Sequence, residues 1–122
     1  MNSEQEVLER LVGILGTELN LQKITCPNNA SDRYQHIACF VTDLEARGLI
    51  TNLTPRLAEF ARITSDWRED YSVWGAFFRV KNGTGILFGI NYVPIEFNPE
   101  LRDQPLLKNY KAMVDVTVAK EQ

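Results

Sequence analysis

The first twenty residues carry a hydrophobic pattern with helical spacing. Apolar positions from Val7 to Leu19 fall within one arc of a helical wheel, and polar residues fill the remainder. Ser3 and Glu6 precede them at the spacing of a capping box, in which each side chain satisfies a free backbone donor of the other residue. The pattern predicts an amphipathic helix over residues 4–19.

Two further helices are predicted before residue 65. Asp32 is placed to cap the second and Gly48 to end it, since glycine tolerates the left-handed conformation that follows a last turn. Its apolar stripe is Tyr34, Ile37, Phe40, Val41 and Leu44. Thr54-Pro55 is a typical start for the third, because threonine caps and proline lacks a donor that the first turn does not need.

The stretch "KNGTGILFG", residues 81–89, raises the question of a phosphate-binding loop. Such loops lead from a strand into a helix, whose N-terminus holds the anion, whereas "ILFGINYV" is rich in strand formers. Asn82-Gly83 is a strong hairpin signal, because both residue types tolerate positive φ. The pattern therefore predicts a two-residue turn between strands near 73–81 and 84–93, with no phosphate bound.

That turn length sets an expected register. It places Phe77 opposite Phe88 and Ala76 opposite Gly89, and it gives the hairpin two apolar faces. We expect helices to cover one face, and further chain or a partner to cover the other.

The fold class expected from these patterns is α+β, in a single domain spanning residues 1–122. Three N-terminal helices are followed by an antiparallel sheet built on the Asn82-Gly83 hairpin. The alternating segment "MVDVTVA", residues 113–119, adds a C-terminal strand.

Composition and charge limit the classes of function. A net charge of -3 without a basic cluster argues against nucleic acid as the main partner. No apolar run approaches the roughly 20 residues that cross a bilayer, and the acidic start does not resemble an export signal. We therefore expect a cytoplasmic protein that engages neither membrane nor nucleic acid. The sequence leaves open whether its two cysteines, Cys26 and Cys39, are paired.

The single histidine belongs to the main candidate for a chemical site. His36, Cys39 and Asp43 would share one face of the predicted second helix, opposite its apolar stripe. Such a trio can hold a metal or activate a thiolate, but these sites normally draw ligands from several segments. We expect no catalytic residue, no metal site and no cofactor.

The segment "SDWREDY", residues 65–71, is the candidate contact surface. It is expected to form an exposed connection between a helix and a strand. Tryptophan, tyrosine and arginine commonly anchor protein interfaces, and the acidic residues suit a basic partner. The predicted partner-binding residues are Asp66, Trp67, Arg68, Glu69, Asp70 and Tyr71.

The function expected from this inventory is protein binding without catalysis, as an inhibitor or adaptor. In size, charge and lack of a site the chain is similar to bacterial immunity proteins, although it carries no motif of a named family. One alternative is a winged-helix nucleic-acid binder, suggested by three helices followed by a hairpin. Another is a small enzyme or ligand-binding domain with a pocket on the sheet. The sequence does not give the oligomeric state.

Overall fold

The computed structural model describes residues 2–27 and 35–121, which form one six-stranded antiparallel sheet with three α-helices. The strands run in the order β1-β2-β6-β5-β4-β3, so β1 and β3 are the edges. The strands are β1 (Gln22–Ile24), β2 (Ile37–Thr42), β3 (Ala61–Asp70), β4 (Val73–Val80), β5 (Ile86–Pro94) and β6 (Ala112–Lys120). The helices are α1 (Glu4–Val12), α2 (Ala46–Leu57) and α3 (Pro99–Arg102).

The first predicted helix is present in two parts. α1 begins after Ser3, whose hydroxyl accepts a hydrogen bond from the Glu6 amide at 3.1 Å. The chain then continues as a π-helix over Gly13–Glu18, which keeps Ile14 and Leu15 buried. The expected amphipathic segment is therefore confirmed, with a change of helix type at residue 13.

The two faces of the sheet are covered differently. α1 and α2 pack on one face, here called the inner face, against the apolar residues of β2, β4, β5 and β6. On the opposite, outer face, residues 95–111 form a covering segment that packs near β2, β6 and the end of β5. Its buried contacts include Ile95, Leu101 and Leu107. Leu49, Leu53 and Leu57 bury one stripe of α2 at the inner face, as four-residue spacing on a helix requires.

The prediction of three N-terminal helices is wrong. Residues 37–42 of the expected second helix form strand β2, while Asp32 and Tyr34 lie outside the described residues. β2 lies inside the sheet, and Ala38–Thr42 are buried on both of its faces. A continuous apolar run of this kind fits a doubly covered strand as well as a helical stripe, and pairing with β6 decides between them.

The expected third helix is also displaced. α2 begins at Ala46 and includes Pro55 in its last turn, so Thr54 lies inside the helix rather than at its cap. The chain then forms strand β3 from Ala61 onward, where a helix had been predicted. Pro55 lacks the amide that would bond to the carbonyl four residues earlier, so its cost falls on the turn before it, and α2 ends two residues later.

The hairpin between β4 and β5 is present, but its predicted register is wrong by one residue. Phe77 pairs with Gly89, and Phe78 pairs with Phe88. The connection is longer than two residues, with positive φ at both Gly83 and Gly85. A shift of one residue changes which side chains of β4 share a face with a given side chain of β5. The observed register therefore places the Phe78 and Phe88 rings together in the inner core.

Candidate functional site

The open part of the outer face, over β3, β4 and β5, contains a shallow groove. Its volume is about 430 Å³, and we call it the outer groove. The residues that line it are Ser65, Arg68, Asp70, Val73, Gly75, Phe77 and Asn91. They come from three adjacent strands and point to the same side of the sheet, as the pairing register requires.

Phe77 forms the apolar wall of this groove. Its side chain is 60% exposed, although β4 is an interior strand of the sheet. A Cβ atom added to Gly89, the residue opposite, would lie only 2.9 Å from Cε1 of the Phe77 ring. The missing side chain of Gly89 therefore lets the ring lie against the backbone of β5, with the rest of the ring open to solvent.

A second glycine makes room for the polar floor of the groove. A Cβ atom added to Gly75 would lie 2.7 Å from Oδ1 of Asn91, its cross-strand partner. The Asn91 side chain fills that space, and its Nδ2 donates a hydrogen bond to Oδ1 of Asp115 on β6 at 3.0 Å. Partial burial raises the pKa of Asp115, and the Asn91 hydrogen bond offsets part of this rise.

These side chains belong to one row that crosses the sheet from strand to strand. The successive pairs join Arg68 to Gly75, Gly75 to Asn91, Asn91 to Asp115, and Asp115 to Cys39. Polar groups in the middle of a sheet face are costly unless they are hydrogen-bonded, and Asn91 and Asp115 satisfy each other in this way. The row has a charged side chain at the β3 edge and a disulfide on β2, beyond which Cys39 pairs with the apolar Ile24 of β1.

The predicted contact segment forms most of edge strand β3 and its turn, rather than a loop. Strand alternation divides it, so that Arg68 and Asp70 line the outer groove while Trp67 faces inward. The Trp67 indole donates to Thr54 Oγ1 at 3.0 Å, and its ring meets Phe78 edge-on at 6.3 Å. Trp67 is therefore a packing residue of the inner face.

The remaining residues of the segment lie at the surface. Asp66 and Glu69 are exposed on β3. Tyr71 is 95% exposed in the two-residue turn from β3 to β4, where both it and Ser72 have positive φ, at 50° and 71°. An aromatic residue is sterically disfavoured in that conformation, and a ring so exposed gains little packing to offset the cost.

The trio of His36, Cys39 and Asp43 does not share a helix face. Cys39 lies in β2 and forms a disulfide with Cys26, which answers the question that the sequence left open. His36 precedes the same strand, and its Nε2 lies 3.8 Å from a carboxylate oxygen of Glu4. Within residues 2–27 and 35–121, no group of three or more His, Cys, Asp and Glu side chains is placed to hold a metal ion.

Sequence reasoning missed Phe77, Asn91 and Asp115 as site residues. Phe77 was expected on the same face as Phe88, because the predicted register was shifted. Asn91 and Asp115 did carry a signal, since Asn91 is the one amide in "ILFGINYV" and Asp115 the one charged residue in "MVDVTVA". Their proximity depends on the pairing of β5 with β6, which the pattern of neither strand reveals.

Comparisons with known proteins give no relative for this chain. No family model matches it, and neither a curated protein nor a solved structure shows significant similarity. In the part of the chain that the structure describes, no helix is long and apolar enough to cross a membrane.

Proposed function

We propose that the protein acts by binding a protein partner through the outer groove and the adjoining Tyr71 turn. The observation that carries the proposal is the 60% exposed Phe77 ring on an interior strand. A large apolar side chain at such a position is normally covered, and the covering segment packs elsewhere on the outer face. A partner surface that reaches β4 would bury this ring.

The residues around Phe77 are of the types that anchor protein interfaces. Arg68 lines the same groove, and Tyr71 projects from the end of the same β3–β4 hairpin. Aromatic and arginine side chains contribute most of the binding energy in many interfaces, especially when a partner desolvates them. Because the groove is wide and shallow, it suits a broad protein surface better than an enclosed small molecule.

Charge favours a partner with a basic contact surface. Residues 66–71 contain three acids, Asp66, Glu69 and Asp70, against the single cation Arg68. These acids are exposed along the β3 edge, where they would attract a basic surface before contact. The alternative of a winged-helix nucleic-acid binder rested on three successive helices, whereas in the described residues strands β1 and β2 separate α1 from α2 and strand β3 follows α2.

The first test is capture of partners by the tagged protein, followed by mass measurement of the intact complex. The captured species is then titrated against Phe77→Ala, Tyr71→Ala and a matched control, Phe97→Ala. Phe97 is also exposed, at 68%, but it lies on the covering segment. We expect Phe77→Ala to weaken binding by about tenfold or more, equivalent to about 1.4 kcal/mol, and Phe97→Ala to leave it unchanged.

Two outcomes would contradict the proposal. If Phe77→Ala and Tyr71→Ala both fold and bind as the parent does, the outer groove is not the contact. If the captured species is a nucleic acid or a small ligand, the class of partner is wrong. Trp67→Ala is unsuitable for this test, because loss of its inner-face packing would lower stability instead.

A further inference from the structure

The two sulfur atoms of the disulfide lie in different surroundings. Cys26 follows β1, is only partly buried and lines a surface cavity of about 480 Å³. Cys39 is 1% exposed and belongs to the apolar cluster under the covering segment. The Cys26 half of the disulfide is therefore the more accessible to a thiol arriving from solvent, and attack there would make the Cys39 sulfur the leaving group.

Asp115 is the residue directly opposite Cys39 on β6. The Val118 amide donates to the His36 carbonyl at 2.9 Å, which makes that pair a hydrogen-bonded one. Hydrogen-bonded and non-hydrogen-bonded pairs alternate along two antiparallel strands. Cys39 and Asp115 form the third pair after His36 and Val118, so theirs is a non-hydrogen-bonded pair, in which facing side chains are closest. Asn91 binds the carboxyl from the β5 side, and Cys39 shares the outer face with Asp115 on the neighbouring strand β2.

We propose that Cys26–Cys39 is a redox-active disulfide that a dithiol reduces, with Cys26 as the sulfur attacked and Asp115 as the proton donor to Cys39. A thiolate leaving into apolar surroundings is costly, because the low dielectric disfavours its charge. A carboxyl group that still holds its proton removes this cost at the moment the bond breaks.

The exchange balances in two steps. One thiolate of the dithiol attacks Cys26 Sγ, the bond between Cys26 and Cys39 breaks, and its electron pair goes to Cys39 Sγ, which takes the proton of Asp115. The second thiolate of the dithiol then attacks the reductant sulfur that is bonded to Cys26. Cys26 leaves as a thiolate, which takes a proton from water. The dithiol leaves as a disulfide, both cysteines are reduced, and solvent reprotonates Asp115.

Among residues 2–27 and 35–121, the groups that face Asp115 are uncharged in the oxidised protein. They are the Asn91 amide from β5 and the disulfide from β2, with Met113 and Thr117 on its own strand. The covering segment packs through apolar side chains and through Tyr110, whose hydroxyl donates to Gln22 at 2.7 Å. The charged residues in the outer groove, Arg68 and Asp70, lie on β3 beyond Gly75. Burial raises the pKa of Asp115, so its protonated form persists to higher pH than in an exposed aspartate.

The test measures how fast dithiothreitol reduces the oxidised protein, from the most acidic pH at which exchange is measurable up to pH 8. Samples are quenched in acid, labelled with a maleimide polymer and resolved by gel shift, and rates are divided by the thiolate fraction of the reductant. For the parent, we expect the corrected rate to fall as pH rises through the Asp115 pKa. Asp115→Asn should be about tenfold slower or more at the acidic end and should lack this fall. Asp43→Asn, an exposed acid just after β2, is the matched control and should behave as the parent.

A second measurement identifies the attacked sulfur without any substitution. Glutathione is added to the oxidised parent, the mixture is quenched in acid, and the mixed disulfide is located by peptide mass mapping. Glutathione on Cys26 supports the proposal. Glutathione on Cys39, a corrected rate that does not change with pH in the parent, or equal rates for folded Asp115→Asn and parent would each overturn it.

Discussion

The inner and outer faces of the sheet use aromatic residues in opposite ways. On the inner face, Phe88 is 1% exposed, and its ring centroid lies 5.0 Å from that of Phe78 and 5.9 Å from that of Phe60. On the outer face, Phe77 rests on a glycine and leaves most of its ring in solvent. The inner ring is held by packing that the fold requires, whereas the outer ring contributes little to the fold and is available to a partner.

The largest expected effect distinguishes these two phenylalanines. Phe88→Ala removes a buried ring and leaves a cavity, so it should lower the free energy of unfolding by about 3–5 kcal/mol. Phe77→Ala should lower it by less than about 1 kcal/mol, since it removes one cross-strand contact. Urea denaturation followed by circular dichroism measures both losses. Similar losses for the two variants would contradict the assignment of separate roles.

The second expected effect comes from Asp115 and depends on pH. Because its pKa is raised in the folded protein, its stabilising contribution is complete below the pKa of an unfolded aspartate, about 3.9, and is lost as pH rises through the folded value. The parent should therefore lose stability relative to Asp115→Asn as pH rises above about 4 and through the folded pKa of Asp115. The loss amounts to about 1.4 kcal/mol for each unit of difference between the two pKa values.

Urea denaturation of parent and Asp115→Asn at several pH values measures this difference. Asparagine keeps an oxygen that accepts the Asn91 hydrogen bond, so the comparison isolates the charge. A difference in stability that is constant with pH would mean that Asp115 titrates normally in the folded protein.

A smaller effect tests the contact between Phe77 and Gly89. In the parent, Gly89→Ala places a methyl group against the ring, and we expect a loss of about 1 kcal/mol as the ring moves away. In a Phe77→Ala background the same change should stabilise by about 0.5–1 kcal/mol, because alanine restricts the unfolded chain more than glycine does. A double-mutant cycle in urea measures this reversal of sign. Equal effects in both backgrounds would show that the ring does not rest on Gly89.

Sequence patterns predicted the local features of this fold better than its pairings. The first helix, the hairpin and the last strand were identified because each carries its own periodicity. β2 was assigned to a helix because the run "IACFVT" fits both periods once both faces are covered. β3 escaped detection because register shifts near Ser65 interrupt its alternation.

The candidate site was predicted only in part for a related reason. Residues 66–71 were singled out by composition, and Arg68 and Asp70 do line the outer groove. The partners that complete it, Phe77 and Asn91, are defined by cross-strand pairs with glycines. Both pairs depend on the register of the β4–β5 hairpin. The sequence left that register ambiguous, because the loop contains more residues than Asn82-Gly83 and its two glycines both have positive φ.

The smallest expected effect concerns Tyr71 and combines stability with binding. Tyr71 and Ser72 occupy a two-residue turn with positive φ at both positions, which asparagine and glycine adopt at lower cost. Because Tyr71 is 95% exposed, Tyr71→Asn loses little packing and should raise the free energy of unfolding by about 0.5–1 kcal/mol.

If Tyr71 is an anchor for the partner, the same substitution should weaken binding. Ser72→Gly is the matched control, since it relieves the same turn, keeps the tyrosine and should leave binding unchanged. Urea denaturation and a binding titration of both variants separate the two effects. A Tyr71→Asn variant that is less stable than the parent would show that the ring makes contacts that support the fold, and equal changes in binding for both variants would assign the effect to the turn rather than to the ring.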